Sequence, residues 1–445
     1  MSASSTFSPA AFRNALVAAL GGFLFGFDTA VISGVEKSIQ QLWSLHSFSH
    51  GFMVAAALIG TVLGSLLAGR PAEKYGRKKM LQAIGLLYVV TSLVTALSTA
   101  WTPFVIFRML GGIGVGASSV VGPMYISEIA PAHYRGRLVA LFQFNVVAGI
   151  LIAFVSNYLL DGISEESWRW MLGVQALPSL VFLVMAFFVP ESPRWLVGKG
   201  REAEARTVLV AINEPEPDAE IAQIRESVSD KGDESLFSGK YGKPIFYAVV
   251  LAIFNQFSGI NAIMYYAPRI FEMTGLSKSG ALLQAISIGV TNMVFTLFAI
   301  RVIDRFGRRI LLLIGSVGMV ISLGLVANAF FTGNFGGYFV MVCLIGFIAF
   351  FAFSQGAVIW VFISEIFPNK VRAAGQTLGS STHWIMAALV SWTFPIIAEG
   401  SPLGGAYAFA FFSAMMLLQL FFAWKVLPET KGQSLEGIQK TLGIH

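Results

Sequence analysis

The chain carries ISEIAP at Ile126–Pro131 and repeats the phrase as ISEIFP at Ile363–Pro368, 237 positions later. Each copy lies where an apolar stretch meets a charged loop. Two further phrases recur at nearly the same spacing, namely KYGRKK and RFGRRI from Lys74 and Arg305, and PES and PET from Pro190 and Pro428. The pattern predicts a tandem duplication of a set of membrane helices, an arrangement in which many carriers hold a substrate between two matching halves.

Composition predicts a membrane protein. Hydrophobic residues make up 56% of the 445 positions and charged residues 12%, with a mean hydropathy of +0.72. Soluble globular proteins usually carry about twice that share of charge. Roughly twelve apolar stretches of about 20 residues follow one another, each long enough to cross a bilayer as a helix. We therefore predict an all-α polytopic membrane protein with twelve transmembrane helices in two pseudosymmetric six-helix bundles.

The basic residues predict topology rather than a nucleic-acid partner. The net charge is +6 and the isoelectric point is near 9.3, yet these residues lie in alternate loops between the apolar stretches. Loops rich in Lys and Arg face the cytoplasm by the positive-inside rule. We expect a multi-pass protein of the cell membrane with both termini in the cytoplasm. The loops that carry this signal contain Arg70, Lys74, Arg77, Arg135, Arg137, Arg305, Arg308, Arg309, Lys370 and Arg372.

Charge also divides the chain into regions. Residues 190–243 are charged and polar, and apolar residues recur at helical spacing in REAEARTVLVAI and DAEIAQIRESV. We predict an N-terminal six-helix bundle over residues 1–189 and a cytoplasmic linker with short helices over 190–243. A C-terminal six-helix bundle over 244–427 and a cytoplasmic tail over 428–445 complete the expected organisation.

The sequence lacks motifs for catalysis, cofactors and metals. Cys343 is the only cysteine, and neither a His-Glu-X-X-His pattern nor a Walker A phosphate loop occurs. GGIGVG at Gly111–Gly116 lies inside an apolar stretch with no strand before it, where small residues allow close helix contact rather than dinucleotide binding. We expect the chain to be no enzyme and to need neither cofactor nor metal.

Seven motifs occur in order along the chain, namely FGFDTAVISG, GRPAEKYGRKK, RMLGGIGVG through YISEIAPAHYRGR, PESPRWL, FNQFSGIN, RVIDRFGRR and PETKG. With these motifs the chain resembles the sugar porter family of the major facilitator superfamily over nearly its whole length. Among members it is most similar to bacterial proton-coupled pentose and hexose symporters. The resemblance implies the major facilitator fold, with a monosaccharide and a proton as transported partners. It also implies a monomer in a lipid bilayer.

Asp28 is the position that most directly suggests coupling to protons. A carboxylate inside a membrane helix costs about 2.5–3.5 kcal/mol on insertion scales, so it normally faces a cavity and has a partner. Arg108 is well placed to be that partner, and the resemblance implies the same pair in proton-coupled relatives. Protonation of Asp28 would break the pair and bias which side of the carrier opens. A static pair that only fixes helix packing is the alternative.

A sugar needs hydrogen bonds for its hydroxyls and an aromatic ring for its apolar face. Amides suit this task because each offers donors and an acceptor without a charge. Gly259 with Ser258 is expected to break the seventh span and turn its amides towards one cavity. For any single amide, a hydrogen bond between helices is the alternative role. The resemblance places the sugar-contacting residues at Gln143, Asn255, Gln256, Asn261, Asn292, Trp360 and His383.

Two of these positions depart from the family pattern, which most often has Gln where Asn255 stands and Gln or Asn where His383 stands. The choice of sugar is therefore left open. His383 is interpreted as a neutral sugar donor or a packing residue, with a titrating role as a third alternative. Four aromatic residues are candidates for walls or gates of the cavity, namely Phe25, Tyr265, Tyr266 and Trp384.

Charged residues at the cytoplasmic helix ends form a further candidate group. Opposite charges can latch one arrangement of the helices and release another, which alternating access requires. Topology alone is the alternative explanation for any single basic residue. The candidate latch residues are Glu73, Arg77, Glu128, Arg135, Glu191 and Arg194 in the first half, mirrored by Asp304, Arg308, Glu365, Arg372 and Glu429 in the second.

These observations predict a secondary carrier that imports a hexose or pentose with a proton by alternating access. A facilitative sugar uniporter and a carrier for a polyol such as inositol remain alternatives. A sugar sensor that does not transport is the alternative from another class. The short segment after Leu427 argues against the sensor.

Overall fold

The computed structural model describes residues 8–131, 134–229, 234–368 and 370–431. Within these residues the regular structure is helical and no strand occurs. The first half contains α1 (Pro9–Val31), a 3-10 turn (Ile32–Gly34), α2 (Glu36–Leu42), α3 (Ser47–Leu67), α4 (Gly69–Tyr75), α5 (Arg77–Leu97), α6 (Trp101–Ile129), α7 (Arg135–Leu160), α8 (Ser167–Gly173) and α9 (Ala176–Ala186).

Short helices occupy the linker region, as its apolar spacing predicts. They are α10 (Pro193–Gly198), α11 (Glu202–Ala211) and α12 (Pro217–Ser229). The second half contains α13 (Gly242–Phe257), α14 (Ile260–Met273), α15 (Lys278–Phe306), α16 (Arg308–Thr332), α17 (Phe339–Phe353), α18 (Gln355–Ile366), α19 (Arg372–Glu399) and α20 (Gly404–Lys425).

Twelve helical segments in the described part of the chain are long and apolar enough to cross a membrane. Some segments join two helices, as in Gly242–Met273, which contains α13 and α14, and Phe339–Ile366, which contains α17 and α18. The prediction of an all-α membrane protein with twelve spans is confirmed.

The seventh span breaks where the sequence predicts. Helix α13 ends at Phe257, and Gly259 has a φ of +84°, a left-handed conformation that glycine adopts without a Cβ clash. A second irregularity follows inside α14, where Tyr266 has non-helical angles two residues before Pro268. The tenth span also breaks, at Ser354 between α17 and α18. Broken spans are tolerated where protein covers the freed backbone groups, and they bring polar backbone into the core.

Small residues let α1 pack closely on α7. A Cβ added to Gly26 would collide with the carbonyl oxygen of Val146, and one added to Gly149 would collide with that of Phe23. Interfaces between membrane helices are rich in small residues for this reason. The glycine run of α6 packs similarly, because Gly116 lies against the backbone of α3 at Thr61. The expected close helix contact at this run is confirmed.

The described residues fall into two compact units. The first lies within Met1–Asp28, Gly60–Ile150 and Arg169–Asp233, and the second within Thr29–Ile59, Leu151–Trp168 and Glu234–His445. The second unit thus includes the ends of spans from the first half of the sequence as well as the second half. Each candidate group described below lies inside one unit.

Candidate functional site

Asp28 and Arg108 form a buried ion pair in the first unit. Arg108 Nη1 donates to Asp28 Oδ1 at 2.9 Å. Asp28 is 7% exposed and Arg108 3% exposed, so both charges are withdrawn from solvent. A buried pair is strongly sensitive to loss of either charge, because the remaining charge is left without compensation. The structure thus brings together the two residues that the sequence suggests for coupling.

Gln175 is a third member of this group, and no sequence pattern predicts it. Its Nε2 lies 3.5 Å from Asp28 Oδ1. The residue stands between α8 and α9 in the sequence, and its side chain is buried. A neutral amide can accompany a carboxylate in either protonation state, since it carries both a donor and an acceptor. No motif surrounds this residue, so only the packing of the sixth span against α1 shows its place.

A chain of amides crosses the break in the seventh span, in the second unit. Asn261 Nδ2 donates to Gln256 Oε1 at 2.6 Å, and Gln256 Nε2 donates to Asn255 Oδ1 at 2.9 Å. Gln256 Nε2 also lies 3.1 and 3.3 Å from the two ring nitrogens of His383. Gln256 is thus the centre of a group, termed here the amide cluster, of Asn255, Gln256, Asn261 and His383.

Aromatic rings surround His383. The centroid of Trp360 lies 4.9 Å from the imidazole and that of Trp384 4.7 Å from it. Trp360 is 38% exposed, whereas Trp384 and His383 are buried. An exposed indole beside buried amides presents an apolar face next to hydrogen-bonding groups, which are the two surfaces that a pyranose needs.

The other aromatic candidates occupy different places. Tyr265 and Tyr266 are buried in α14, where the Tyr266 hydroxyl donates to the carbonyl oxygen of Ser391 at 3.1 Å. Tyr266 therefore ties the irregular part of α14 to α19. Phe25 is half-buried on α1, in the first unit.

Two sugar candidates lie outside the amide cluster. Asn292 is half-buried on α15, and among the described contacts it makes none with the cluster. Gln143 is exposed on α7 and belongs to the first unit. Their proposed roles stay predictions.

A second polar chain, which the sequence did not indicate, extends from the amide cluster. Asn255 Nδ2 donates to the carbonyl oxygen of Gln355 at 3.4 Å, where the tenth span is broken. The Gln355 side chain donates to Gln419, whose Nε2 donates to Ser316 Oγ at 2.9 Å. All of these side chains are buried. The chain connects both broken spans to α16 and α20.

Arg77 is the centre of a charged group at the start of α5. Its Nε and Nη2 donate to the two oxygens of Glu128 at 2.9 and 2.8 Å. Glu191 accepts from the backbone N–H groups of Arg77 and Lys78 at 2.8 and 3.2 Å. The first N–H groups of a helix lack partners within the helix and attract a carboxylate. Arg77, Glu128 and Glu191 are called the first clamp below.

The second half repeats this arrangement at the start of α16. Arg308 donates through Nε and Nη2 to Glu365 at 3.1 and 2.6 Å. Glu429 accepts from the backbone N–H groups of Arg308 and Arg309, both at 3.0 Å. Arg308, Glu365 and Glu429 are the second clamp. Thr430 joins it by donating from Oγ1 to Glu365 at 2.6 Å.

The remaining latch candidates are less enclosed. Glu73, Arg135 and Arg194 are exposed, and Trp195 Nε1 donates to the carbonyl oxygen of Glu73 at 2.9 Å. Arg372 is half-buried and donates to the carbonyl oxygen of Phe367 at 3.4 Å. The side chain of Asp304 lies outside the described part of the chain. The structure thus groups Arg77 and Arg308 with glutamates, and each clamp joins residues of a single unit.

Arg135 also influences a carboxyl of the linker. Burial is the main cause that raises the pKa of Glu214, and repulsion from Glu220 adds to it. The positive charge of Arg135 acts in the opposite direction. Arg135 therefore contributes to the electrostatics of the linker.

A third charged network, also missed by the sequence reasoning, lies in the second unit. Arg269 donates to Glu36 at 3.0 Å and pairs with Glu399. His50 Nε2 lies 2.6 Å from Glu36, and both side chains are fully buried. Lys37 pairs with Glu272 beside them. The network joins α2 and α3 to α14 and α19, so residues over 200 positions apart hold these helix ends together.

Nearly the whole chain matches one protein family. The model described as "Sugar (and other) transporter" matches residues 14–442. The chain belongs to the sugar transporter family. The expected sugar porter membership is thereby confirmed, and the expectation of a carrier rather than an enzyme agrees with it.

Curated relatives resemble the chain over almost their full length. The D-xylose-proton symporter of Escherichia coli strain K12 is 36% identical over 469 residues, which cover 96% of this chain and 95% of that protein. The glucose transporter GlcP of Staphylococcus epidermidis is 36% identical over 432 residues, which cover 96% of each. The arabinose-proton symporter of Bacillus subtilis is 36% identical over 433 residues, covering 95% of this chain and 93% of the relative.

Solved structures show the same fold. The xylose transporter XylE from Escherichia coli in its inward open conformation superposes with a TM-score of 0.87 at 34% identity, covering 97% of this chain and 99% of that one. Its partially occluded inward open conformation gives a TM-score of 0.86 at 35% identity, with coverage of 96% and 100%. The predicted major facilitator fold is confirmed.

Proposed function

We propose that this chain imports a hexose or a pentose together with a proton, by alternating access. The observation that carries the proposal is the buried ion pair of Asp28 and Arg108 at 2.9 Å. The membership of the chain in the sugar transporter family supports the substrate class. Relatives named as proton symporters for xylose and arabinose support the coupling ion.

Proton binding at Asp28 supplies the coupling step. An ionised Asp28 holds Arg108, and a protonated Asp28 releases most of that attraction, because the carboxylate has lost its charge. The two protonation states thus favour different packing of α1 against α6. A ligand moves a conformational equilibrium only through such a difference in affinity. The proton gradient then biases which conformation the carrier adopts.

The energy available is adequate for concentrating a sugar. One charge that crosses about 100 mV releases about 2.3 kcal/mol. At about 1.4 kcal/mol per tenfold change, this sustains an accumulation of roughly fiftyfold. A uniporter with the same pocket would only equalise the two concentrations.

The amide cluster is the proposed sugar site. Asn255, Gln256 and Asn261 offer donors and acceptors without a net charge, and the exposed ring of Trp360 offers an apolar face. Gln143 and Asn292 are further proposed contacts. Tyr265, Tyr266, Trp384 and Phe25 are proposed walls or gates.

The proposed topology places both termini in the cytoplasm of a cell-membrane protein that works as a monomer. The loops with Arg77 and Arg308 carry the basic residues, which supports a cytoplasmic location for them. The two clamps would then keep the cytoplasmic ends of the helices fixed, each within its own unit. The remaining latch candidates are proposed to assist there.

The proposal is tested by sugar transport into proteoliposomes of the purified chain. Counterflow with xylose, glucose, galactose, fructose and inositol identifies the substrate and measures exchange without a gradient. Uphill accumulation under an imposed proton gradient is then compared between the native chain and Asp28→Asn. We expect Asp28→Asn to keep exchange and lose accumulation.

Asp161→Asn is the matched control, because Asp161 lies just after the fifth span and pairs with Lys278 at the start of the eighth span at 2.7 Å, so the change should leave accumulation intact. Native exchange without accumulation would establish a uniporter instead, and counterflow of inositol alone would establish a polyol carrier. Binding without flux would establish a sensor.

A further inference from the structure

A small cavity lies beside the Asp28–Arg108 pair, inside the first unit. Its volume is about 10 Å³, close to the space that the centre of one water molecule needs. Besides the pair, the cavity is lined by Thr91, Ser92 and Thr95 of α5. Gln175 of the sixth span also lines it, so polar side chains from four spans surround a space of about the size of one water molecule.

Arg108 has two donors that the described residues do not satisfy. Its Nη1 binds Asp28, but its Nε and Nη2 are buried and have no hydrogen-bond partner in the described chain. A buried donor without a partner carries its full desolvation cost, which is larger for a charged group. The guanidinium beside the cavity thus has N–H groups that can still donate hydrogen bonds.

The hydroxyl groups of α5 are arranged as acceptors. Thr91 Oγ1 donates its proton to the carbonyl oxygen of Leu87 at 2.7 Å, and Ser92 Oγ donates to that of Tyr88 at 2.6 Å. Each hydroxyl has one proton, so towards the cavity these oxygens offer lone pairs. A water molecule there can accept from Arg108 and donate to Thr91, Ser92 or Thr95.

We propose that this cavity binds one water molecule, which takes over the Arg108 guanidinium when Asp28 is protonated. Thr91, Ser92 and Thr95 are then positioning residues for the coupling reaction, acting on Arg108 through this water. The inference rests on the proposed function of Asp28 as the proton site. The water molecule would explain how the buried charge of Arg108 is accommodated when a proton binds Asp28.

The water molecule acts on the state that follows proton binding. A proton on Asp28 removes the charge that compensates Arg108, and an uncompensated buried charge is strongly destabilising. A water molecule that donates to two of these hydroxyl oxygens lowers this cost, because its own oxygen then accepts a hydrogen bond from the guanidinium. Removing the hydroxyls would therefore disfavour protonated Asp28 and shift coupling to more acidic conditions.

Tyr88 and Arg169 are further polar groups of the first unit. Tyr88 of α5 interacts electrostatically with Asp28. On α8, the Arg169 guanidinium donates to the carbonyl oxygens of Ala96 and Ser98 at 2.8 Å each. The Thr substitutions below change neither Tyr88 nor Arg169.

The test measures uphill sugar accumulation against external pH in proteoliposomes, with Thr91→Val and Thr95→Val made singly and together. Valine keeps the branched shape of threonine and removes the acceptor oxygen. We expect the pH of half-maximal accumulation to fall by about one unit in the double variant, with counterflow at neutral pH retained. Counterflow also reports that the variant has folded.

Gly111→Ala tests the cavity itself, since a Cβ there would lie 3.2 Å from Thr91 Oγ1 and occupy part of the space. It should shift the pH midpoint in the same direction. Thr393→Val is the matched control, because Thr393 likewise donates to its own helix, to Leu389 at 2.8 Å, and does not line the cavity. Its midpoint should equal that of the native chain.

Failure of this inference differs from failure of the proposed function. If the native chain shows no pH-dependent accumulation, proton coupling itself is disproved. If it does, and Thr91→Val/Thr95→Val keeps the native midpoint, the water site is disproved. A density map of the native carrier that shows a dry cavity beside Arg108 would overturn the inference independently of transport.

Discussion

The two halves of the chain form the same clamp, but the first span of each half carries different polar groups. Arg77 and Arg308 each begin a helix after a glycine with positive φ, +99° at Gly76 and +90° at Gly307. Each arginine binds one glutamate through Nε and Nη2, and each helix start receives a second glutamate. Duplication has thus preserved the groups that fix helix ends.

The first and seventh spans, which correspond to each other in the two halves, differ in their polar residues. Asp28 stands two residues after Gly26, and Asn261 stands two residues after Gly259. The carboxylate pairs with Arg108, whereas the amide binds Gln256 in a group without formal charge. A proton on Asp28 would change the charge of the ion pair, whereas the amides of Asn255, Gln256 and Asn261 can match hydroxyls without burying a charge. The comparison leads us to propose that one scaffold supports two tasks, proton binding in the first unit and sugar binding in the second.

Breaking the ion pair of Asp28 and Arg108 should have the largest effect. Arg108→Gln leaves Asp28 buried without compensation, so we expect a loss of about 3–5 kcal/mol in stability together with loss of accumulation. The double variant Asp28→Asn/Arg108→Gln should recover part of the stability and none of the accumulation. Thermal unfolding in detergent and sugar accumulation measure the two effects. A stable Arg108→Gln carrier that still concentrates sugar would contradict the assignment of the pair.

The clamps should respond equally to the same change. Arg77→Met and Arg308→Met each remove one partner of a largely buried charge group, and we expect a loss of about 3 kcal/mol from each. Arg225→Met is the control, because its pair with Glu202 is exposed and surface pairs contribute about 0–1 kcal/mol. Chemical unfolding of the three variants gives the comparison. Clearly unequal losses at the two clamps would show that the mirrored geometry does not reflect equal energetics.

The amide cluster should control the affinity for sugar rather than the coupling to protons. Gln256→Ala removes the amide that joins Asn255, Asn261 and His383, so we expect sugar affinity to fall roughly tenfold to a hundredfold, or about 1.4–2.8 kcal/mol. The remaining transport should still respond to the proton gradient. Asn157→Ala is the control, since this buried amide donates only to the Val31 carbonyl oxygen at 3.1 Å among the described contacts. Equal affinity in native and Gln256→Ala proteins would remove the amide cluster from the sugar site.

The smallest effect is expected at His383. His383→Gln exchanges a ring packed between Trp360 and Trp384 for a flexible amide, and it should change the preference between two sugars by about threefold to tenfold. Competition counterflow with pairs of sugars measures the ratio. An unchanged ratio across the panel would make His383 a packing residue.

Much of the fold could be predicted because its signals are long or repeated. Twelve apolar stretches, the duplicated motifs around Arg77 and Arg308, and the break at Gly259 each leave a pattern in the sequence. Asp28 could be selected from the sequence as well, because a carboxylate is rare inside a span.

Partners within the core were harder to predict. Gln175, Gln355, Gln419 and His50 are single polar residues in apolar segments, and no periodic pattern marks them. Their partners lie 14 to 147 positions away, so helix packing decides which of them meet. The buried network around Glu36 and Arg269 shows the same limit, because neither residue carries information about the other.

The most direct test of the account is proton uptake on addition of sugar to vesicles without an imposed gradient. External alkalinisation is recorded with a pH electrode for the native chain, Asp28→Asn and the Asp161→Asn control, while counterflow verifies that each transports sugar. The account predicts alkalinisation by the native and Asp161→Asn proteins and none by Asp28→Asn. Sugar transport by the native chain without proton uptake, or equal uptake by Asp28→Asn, would contradict it.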